Sequence, residues 1–306
     1  MSLETCLESI KDCGDLPDNT AFYNLSDLSA SQASTFNSVW RQVVPIRKLN
    51  ILSKLVELSH DNTKLDFSTV FRHCLSEPDE DVVCKALEGL WESEERNLIS
   101  PLCHLTNSGP SMKVRAAAAT ALEKFATLAM ERKLIRKDHM RVRECLISTL
   151  ENTYEDVDVR RRALESISVL NTEPVNKFIE WAYNSNDPDL KSSALYAMGQ
   201  TGESTWLVRL VKELKSPIPI LRYEAANACG ALEEENAIPH LTSLIDQDDD
   251  IEVQLSAIRA IGAIGGPLAK KALRRCMKSR DPMIEETASE YLELVNSFED
   301  DQNPHY

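Results

Sequence analysis

The stretch Leu190-Lys-Ser-Ser-Ala-Leu-Tyr-Ala-Met-Gly199 is written twice more in this chain. It returns as Leu221-Arg-Tyr-Glu-Ala-Ala-Asn-Ala-Cys-Gly230 and as Val253-Gln-Leu-Ser-Ala-Ile-Arg-Ala-Ile-Gly262, with starts 31 and 32 residues apart. Self-similarity at a fixed period of this size marks a stacked array, in which each unit buries its apolar face against its neighbours. The same pattern starts at Val82, Val114, Val159 and Ile284. Four residues after every start stands an alanine: Ala86, Ala118, Ala163, Ala194, Ala225, Ala257 and Ala288. Eight residues after it stands a larger apolar residue: Leu90, Leu122, Ile167, Met198, Cys229, Ile261 and Leu292. Apolar residues at i, i+4 and i+8 form one buried helical face, and a small residue in its middle lets two helices approach closely.

The flanks of the motif read as helix boundaries. Glu77-Pro-Asp, Asp187-Pro-Asp, Ser216-Pro-Ile-Pro, Asp248-Asp-Asp and Asp281-Pro-Met supply N-terminal caps and first-turn prolines. Gly199, Gly230 and Gly262 are expected as left-handed C-caps. Amphipathic segments at 97–105, 175–183, 206–214, 237–245 and 267–277 are expected as the returning outer helices. The interval from Val114 to Val159 is 45 residues, and its surplus is expected to lengthen one helix and its loop. The fold expected is all-α, a right-handed α-solenoid of stacked antiparallel helix pairs. Residues 1–44 form a helical lead-in and cap, with Ser29 as a helix cap; 45–295 form the array; 296–306 form an acidic, flexible tail.

The formal net charge of -15 is placed at the ends. Residues 1–40 hold six acids and one lysine, and residues 281–306 hold eight acids and no base, so the body between them is almost neutral. Aromatic content of 6% is low for a protein that stacks on bases. The eight cysteines show no Cys-x-x-Cys spacing, and several fall on apolar helix positions. No leader segment and no run of eighteen apolar residues is present, so a cytoplasmic protein with reduced thiols and no membrane association is expected.

The motifs at 187–199 and 221–230 closely resemble the HEAT-like repeats of phycobilisome chromophore lyases. The resemblance covers about residues 75–295 and implies the solenoid; it leaves a lyase-like enzyme subunit as one alternative function. Deoxyhypusine hydroxylase is similar in architecture, and that likeness would imply His-Glu iron ligands. Here His60, His73, His104, His139, His240 and His305 are none of them followed by glutamate. No metal and no other cofactor is expected. HEAT-like DNA glycosylases suggest a third reading, nucleic-acid binding through a basic face. Its candidates are Arg132, Lys133, Arg136, Lys137, Arg141, Arg143 and Arg160, which read equally as solvated helix faces or as a dock for an acidic protein.

Repeated residues of the motif pack and cap, so function is expected where the repeats differ. Positions two, three and six after each start are expected to form a concave protein-binding surface: Arg161, Arg162, Ser192, Tyr196, Tyr223, Glu224, Asn227, Leu255 and Arg259. Tyr196 and Tyr223 could equally pack locally. Trp91 is expected in the core, and Trp181 and Trp206 between helix layers. The four aspartates of 246–250 lack the glycine of a calcium loop and read as an acidic cap. The function expected is a non-catalytic protein–protein scaffold or adaptor, a monomer or weak dimer, with an unidentified protein partner and nucleic acid the weaker reading.

Overall fold

The computed structural model describes residues 2–12, 14 and 16–302, with side chains to 297; Cys13, His305 and the end of the expected tail lie outside these. Every regular element among the described residues is helical. The chain divides into two compact units, Met1–Ser166 and Ile167–Tyr306.

The first unit opens with α1 (Leu3–Lys11), α2 (Asn19–Phe22) and α3 (Ala30–Trp40). Ser29 caps α3 in a capping box with Gln32, as its position before the helix predicts. α4 (Pro45–Asp61), α6 (Glu80–Gly89) and α8 (Met112–Ala121) then stack as inner helices, with α5 (Ser68–Cys74) and α7 (Ile99–Ser108) returning outside them. The surplus residues of the long interval form a separate short helix, α9 (Glu123–Met130), and a long outer helix, α10 (Arg136–Glu151). α11 (Val157–Ile167) follows, and Ser166 Oγ in it donates to the Ala119 carbonyl of α8 at 2.9 Å.

A buried arginine fastens the lead-in to this stack. Arg47, in the first turn of α4, donates from Nε to the Ile10 carbonyl at 2.8 Å, from Nη1 to Gly14 at 2.6 Å and from Nη2 to Ser9 at 2.9 Å. These include carbonyls at the C-terminal end of α1, which its own helix leaves without partners, so one side chain both caps α1 and binds it to α4.

In the second unit α13 (Pro188–Gln200), α15 (Pro219–Ala231), α17 (Ile251–Ile264) and α19 (Pro282–Gln302) are the inner helices. α12 (Glu173–Tyr183), α14 (Leu207–Glu213), α16 (Ile238–Gln247) and α18 (Gly266–Cys276) return outside them, each packed on its inner partner. All seven position-four alanines are fully buried, as are most of the residues that start each motif or lie eight after it. Leu292 is half-buried instead. α19 continues through the first residues of the expected tail to Gln302.

The motif glycines are not C-caps. Gly199, Gly230 and Gly262 lie within α13, α15 and α17, and the left-handed turns fall elsewhere, at Gly202 (φ 67°), Glu233 (φ 53°) and Gly265 (φ 68°). What requires glycine is the neighbouring helix: a Cβ on Gly199 would lie 2.8 Å from Ala228 Cα, and one on Gly230 2.8 Å from Ala260 Cα. The inner helices of this unit therefore touch backbone to backbone.

Caps and ion pairs fix the register of each helix. Asp79, Asp187 and Asp250 accept from the first-turn amides of α6, α13 and α17. One residue after the motif start, Arg222 forms a fork with Asp248 at 2.6 and 2.8 Å and reaches the Ser216 carbonyl at 2.9 Å. Arg115 repeats this with Glu155, at 3.0 and 2.9 Å, and with the Gly109 carbonyl at 3.2 Å. Burial raises the pKa of both carboxyls, but the arginine hydrogen bonds, the backbone amides and the arginine charge together outweigh it and hold them below the ordinary carboxylate range. The aspartates of 246–250 are thus a cap and an arginine anchor.

Candidate functional site

In the first unit, α6 and α8 lie side by side and leave an open groove of about 900 Å³ along their free faces. Cys84, Leu87, Glu88 and Trp91 line it from α6 and the turn after it. Ala116, Ala117, Thr120 and Ala121 form the α8 wall, with Glu123, Lys124 and Thr127 beyond them on α9. His60 at the end of α4 and Arg162 on α11 close two sides. The groove exists because α8 offers only short side chains there, Ala116 where Tyr223 stands and Thr120 where Tyr196 stands in other repeats.

Trp91, expected in the core, is 56% exposed at the rim of this groove. It follows the last turn of α6, where the chain has already left the buried stripe, and its ring meets His60 edge-on at 6.0 Å. His60 itself lies in the last turn of α4. Burial pushes the Cys84 thiol pKa up, so it is a neutral thiol at physiological pH and a poor nucleophile. The groove offers an apolar floor, one large aromatic, and the charges of Glu88, Lys124 and Arg162 at its edge. Such an arrangement suits the burial of an aliphatic or aromatic side chain presented by another protein.

Of the nine residues expected on a concave face, Arg161 and Arg162 belong to the first unit. Arg162 lines the groove and pairs with Glu165 at 2.8 Å; Arg161 is tied to Asp158 at 2.5 Å and to Glu165 at 3.6 Å. The other seven belong to the second unit. Ser192, Tyr196, Tyr223, Glu224, Asn227 and Arg259 are half-exposed. Leu255 is 2% exposed and is a correction to that expectation. It occupies position two, the place of Tyr223 on α15, and that side of an inner helix is approached by the helix after it.

In the second unit position three is likewise interhelical. Ser193 and Ser256 are buried there, and Ser256 Oγ lies 3.0 Å from the Tyr223 carbonyl and 2.8 Å from Asn227 Oδ1. Positions two, six and ten all contribute to the open groove of the first unit, through Cys84 and Glu88 on α6, Ala116 and Thr120 on α8, and Lys124 on α9, beside Leu87, Trp91, Ala117 and Arg162 at other positions. Position ten escaped the sequence reading because the repeated decapeptide stops at nine. Trp206 is buried as expected, whereas Trp181 is exposed on α12.

The basic residues fall into two groups. Arg160 donates to the Leu150 carbonyl at 3.2 and 3.0 Å, and burial lowers its pKa, so it anchors α11 instead of joining a surface patch. Arg132, Lys133, Arg136, Lys137 and Arg141 are exposed and Arg143 half-exposed, on the α9–α10 turn and along α10. Among the described residues no group of three or more His, Cys, Asp or Glu side chains is placed to hold a metal ion, and no helix is long and apolar enough to cross a membrane.

Residues 175–254 and 238–302 match the family model described as HEAT repeats. No curated protein matches the chain in sequence. Among solved structures, the chain is similar to an engineered protein at 22% identity, covering 66% of this chain and 97% of that one, with a TM-score of 0.44. It is similar to human deoxyhypusine hydroxylase in complex with glycerol at 14% identity, covering 96% of each chain, with a TM-score of 0.37. It is also similar to the CpcE–CpcF complex of phycocyanin lyase from Nostoc sp. at 17% identity, covering 74% of this chain and 94% of that one, with a TM-score of 0.49. The repeats of 175–302 match the HEAT family, and both units are all-α stacks of antiparallel helix pairs.

Proposed function

We propose that the protein is a non-catalytic scaffold that holds a partner protein on the free faces of its inner helices, with the α6–α8 groove as the anchoring point. The observation that carries this reading is the groove itself: an alanine-lined floor of about 900 Å³ with an exposed tryptophan at its rim. Large exposed aromatics beside a small-residue floor are the composition of interface hot spots, and an array of rigid helix pairs presents them without an ordering cost. The nucleic-acid alternative would draw on 132–162, yet Arg160, Arg161 and Arg162 are engaged by acceptors of their own chain. The chromophore-lyase alternative rests on the repeat motif, whose recurring residues are the buried and capping ones.

The test is site-specific photo-crosslinking in the native cell. A photoreactive side chain at Thr120, in the groove, should trap a discrete partner that Ala117→Trp, which fills the floor, abolishes. The same probe at Val208, exposed on the outer helix α14, should not trap it. Equal capture from both positions, or capture that survives Ala117→Trp, would sink the proposal.

A further inference from the structure

We infer that the α9–α10 corner of the first unit is a second docking surface, fitted to an acidic, amphipathic segment of another protein. It goes beyond the groove, lying on the returning outer helix instead of the inner ones. Three apolar side chains stand in solvent there: Met130 at the end of α9, Ile135 just before α10 and Met140 one turn into it, 51%, 50% and 38% exposed. Around them stand Arg132, Lys133, Arg136 and Lys137, with Arg141 and Arg143 further along α10.

The charge of these cations is concentrated in one stretch and largely unanswered. Arg115, Arg222, Arg162 and Lys48 each meet a carboxylate. Arg132, Arg136, Lys137, Arg141 and Arg143 form no ion pair among the described residues, and Lys133 pairs with the exposed Glu131, with Glu94 near enough to act on it, a contact of little weight in water. Asp138, the one acid within 132–143, is turned inward to Arg96 Nε at 2.7 Å. α7, on which α10 packs, carries no carboxylate; α9 contributes Glu123, and the open part of α10 contributes Glu144. Six cations and one aspartate give 132–143 a formal +5, so the rest of the chain, whose total is -15, carries -20.

That contrast selects the occupant. A bilayer or a long polynucleotide is a polyanion wider than the corner and would also face the remainder of the first unit, which sums to a formal -10. A short acidic peptide touches the corner alone. The apolar members are methionine and isoleucine, which fit aliphatic or aromatic partners, with methionine adapting its shape; none has the aromatic face that a nucleobase stacks on. The corner therefore reads a segment in which Asp or Glu alternates with large apolar residues, charge steering the encounter and the apolar contacts fixing the register.

The experiment uses the full chain and a fluorescein-labelled peptide of about 16 residues in which pairs of Glu and Asp alternate with Leu and Phe, followed by anisotropy. Binding should weaken as salt rises from roughly 50 to 200 mM, should fall at least ~10-fold in Arg136→Glu/Lys137→Glu, and should fall ~3–10-fold in Met130→Ser/Ile135→Ser. Neither double variant threatens folding: all four side chains are exposed, and acids in the first turn of α10 favour its dipole. The Thr120 crosslink should be unchanged in both, so that failure here and failure of the groove are told apart. The inference is overturned if the peptide does not bind, or if the Met130/Ile135 variant binds like the parent, which would make the contact mere ion exchange. It is equally overturned if single-stranded RNA or a phosphatidylserine vesicle binds the corner more tightly than the peptide.

Discussion

Replacing Gly230 distinguishes close helix packing from a left-handed cap. A Cβ at this position would lie 2.8 Å from Ala260 Cα, 3.0 Å from Ala260 Cβ and 3.5 Å from the Ala260 carbonyl oxygen. Carbon atoms at rest sit about 3.5–4.0 Å apart, so α15 and α17 must separate by roughly 1 Å or bend. The contact is with backbone and a methyl group, neither of which can rotate away. Overpacking of this kind costs about 1–3 kcal/mol, with a rigid neighbour at the upper end, while alanine in place of glycine inside a helix returns about 0.8–1 kcal/mol. The net for Gly230→Ala is then a loss of about 1–2 kcal/mol, a fall of roughly 0.5–1 M in the urea midpoint of the second unit followed by circular dichroism. Gly230→Asn, with a larger side chain and a smaller propensity gain, should lose more. At a left-handed position the order reverses, because asparagine tolerates positive φ and alanine does not. Gly202, with φ 67° and nothing within 4 Å of its Cβ position, supplies that reversed order in the same protein. If asparagine is better tolerated than alanine at Gly230 as well, the packing argument is refuted.

Three further outcomes follow from the ion pairs, the groove and the thiols. Asp248→Asn leaves Arg222 buried without its carboxylate and should destabilise the second unit by about 2–4 kcal/mol near neutral pH. Because the folded Asp248 carboxyl is held below its ordinary range, its stabilisation is complete above pH ~4 and is lost as pH falls through the depressed value; chemical denaturation below pH ~4 should therefore show a shallower acid loss in the variant than in the parent. Trp91→Ala should shift stability by less than about 1 kcal/mol, since the ring is mostly in solvent, yet abolish the partner trapped from Thr120; a large loss of thermal stability would mean that Trp91 is structural after all. In a Cys13→Ser background, Cys84 should be the first thiol to react with a disulfide reagent in the folded protein, with Cys74 and Cys229 protected until unfolding, as burial of each predicts.

The helix-pair array was legible because its signals are one-dimensional. Buried alanines at position four and aspartates before Val82, Leu190 and Val253 act on their own helix at fixed offsets, so a single sequence displays them. The motif glycines show where such reading stops. A glycine after a run of apolar residues looks the same whether the chain turns there or a second helix presses against it, and only Ala228 and Ala260, 29 and 30 residues away in sequence, decide. The Arg47 clamp was hidden for the same reason, since the Ser9, Ile10 and Gly14 acceptors are backbone carbonyls more than thirty residues earlier, and a carbonyl has no letter in the sequence.

The binding face was harder to place because the open side of a stacked helix is defined by its two neighbours. Positions two, three and six look equally variable from Ser192 to Arg259, yet the helix before takes up position three, through Ser256 on Tyr223 and Asn227. Leu255 at position two is buried on the side of α17 that meets the helix after it, where Gly262 faces Tyr291, while Tyr223 at the same position of α15 stays half-exposed. Where α8 instead offers Ala116 and Thr120, the same geometry leaves the surface hollow. A run of alanines thus reads as packing in the one-dimensional pattern and as a groove in three dimensions. Trp91 is then exposed because the hollow gives its indole nothing on α8 to pack against, and a partner that fills the floor would supply the missing contact.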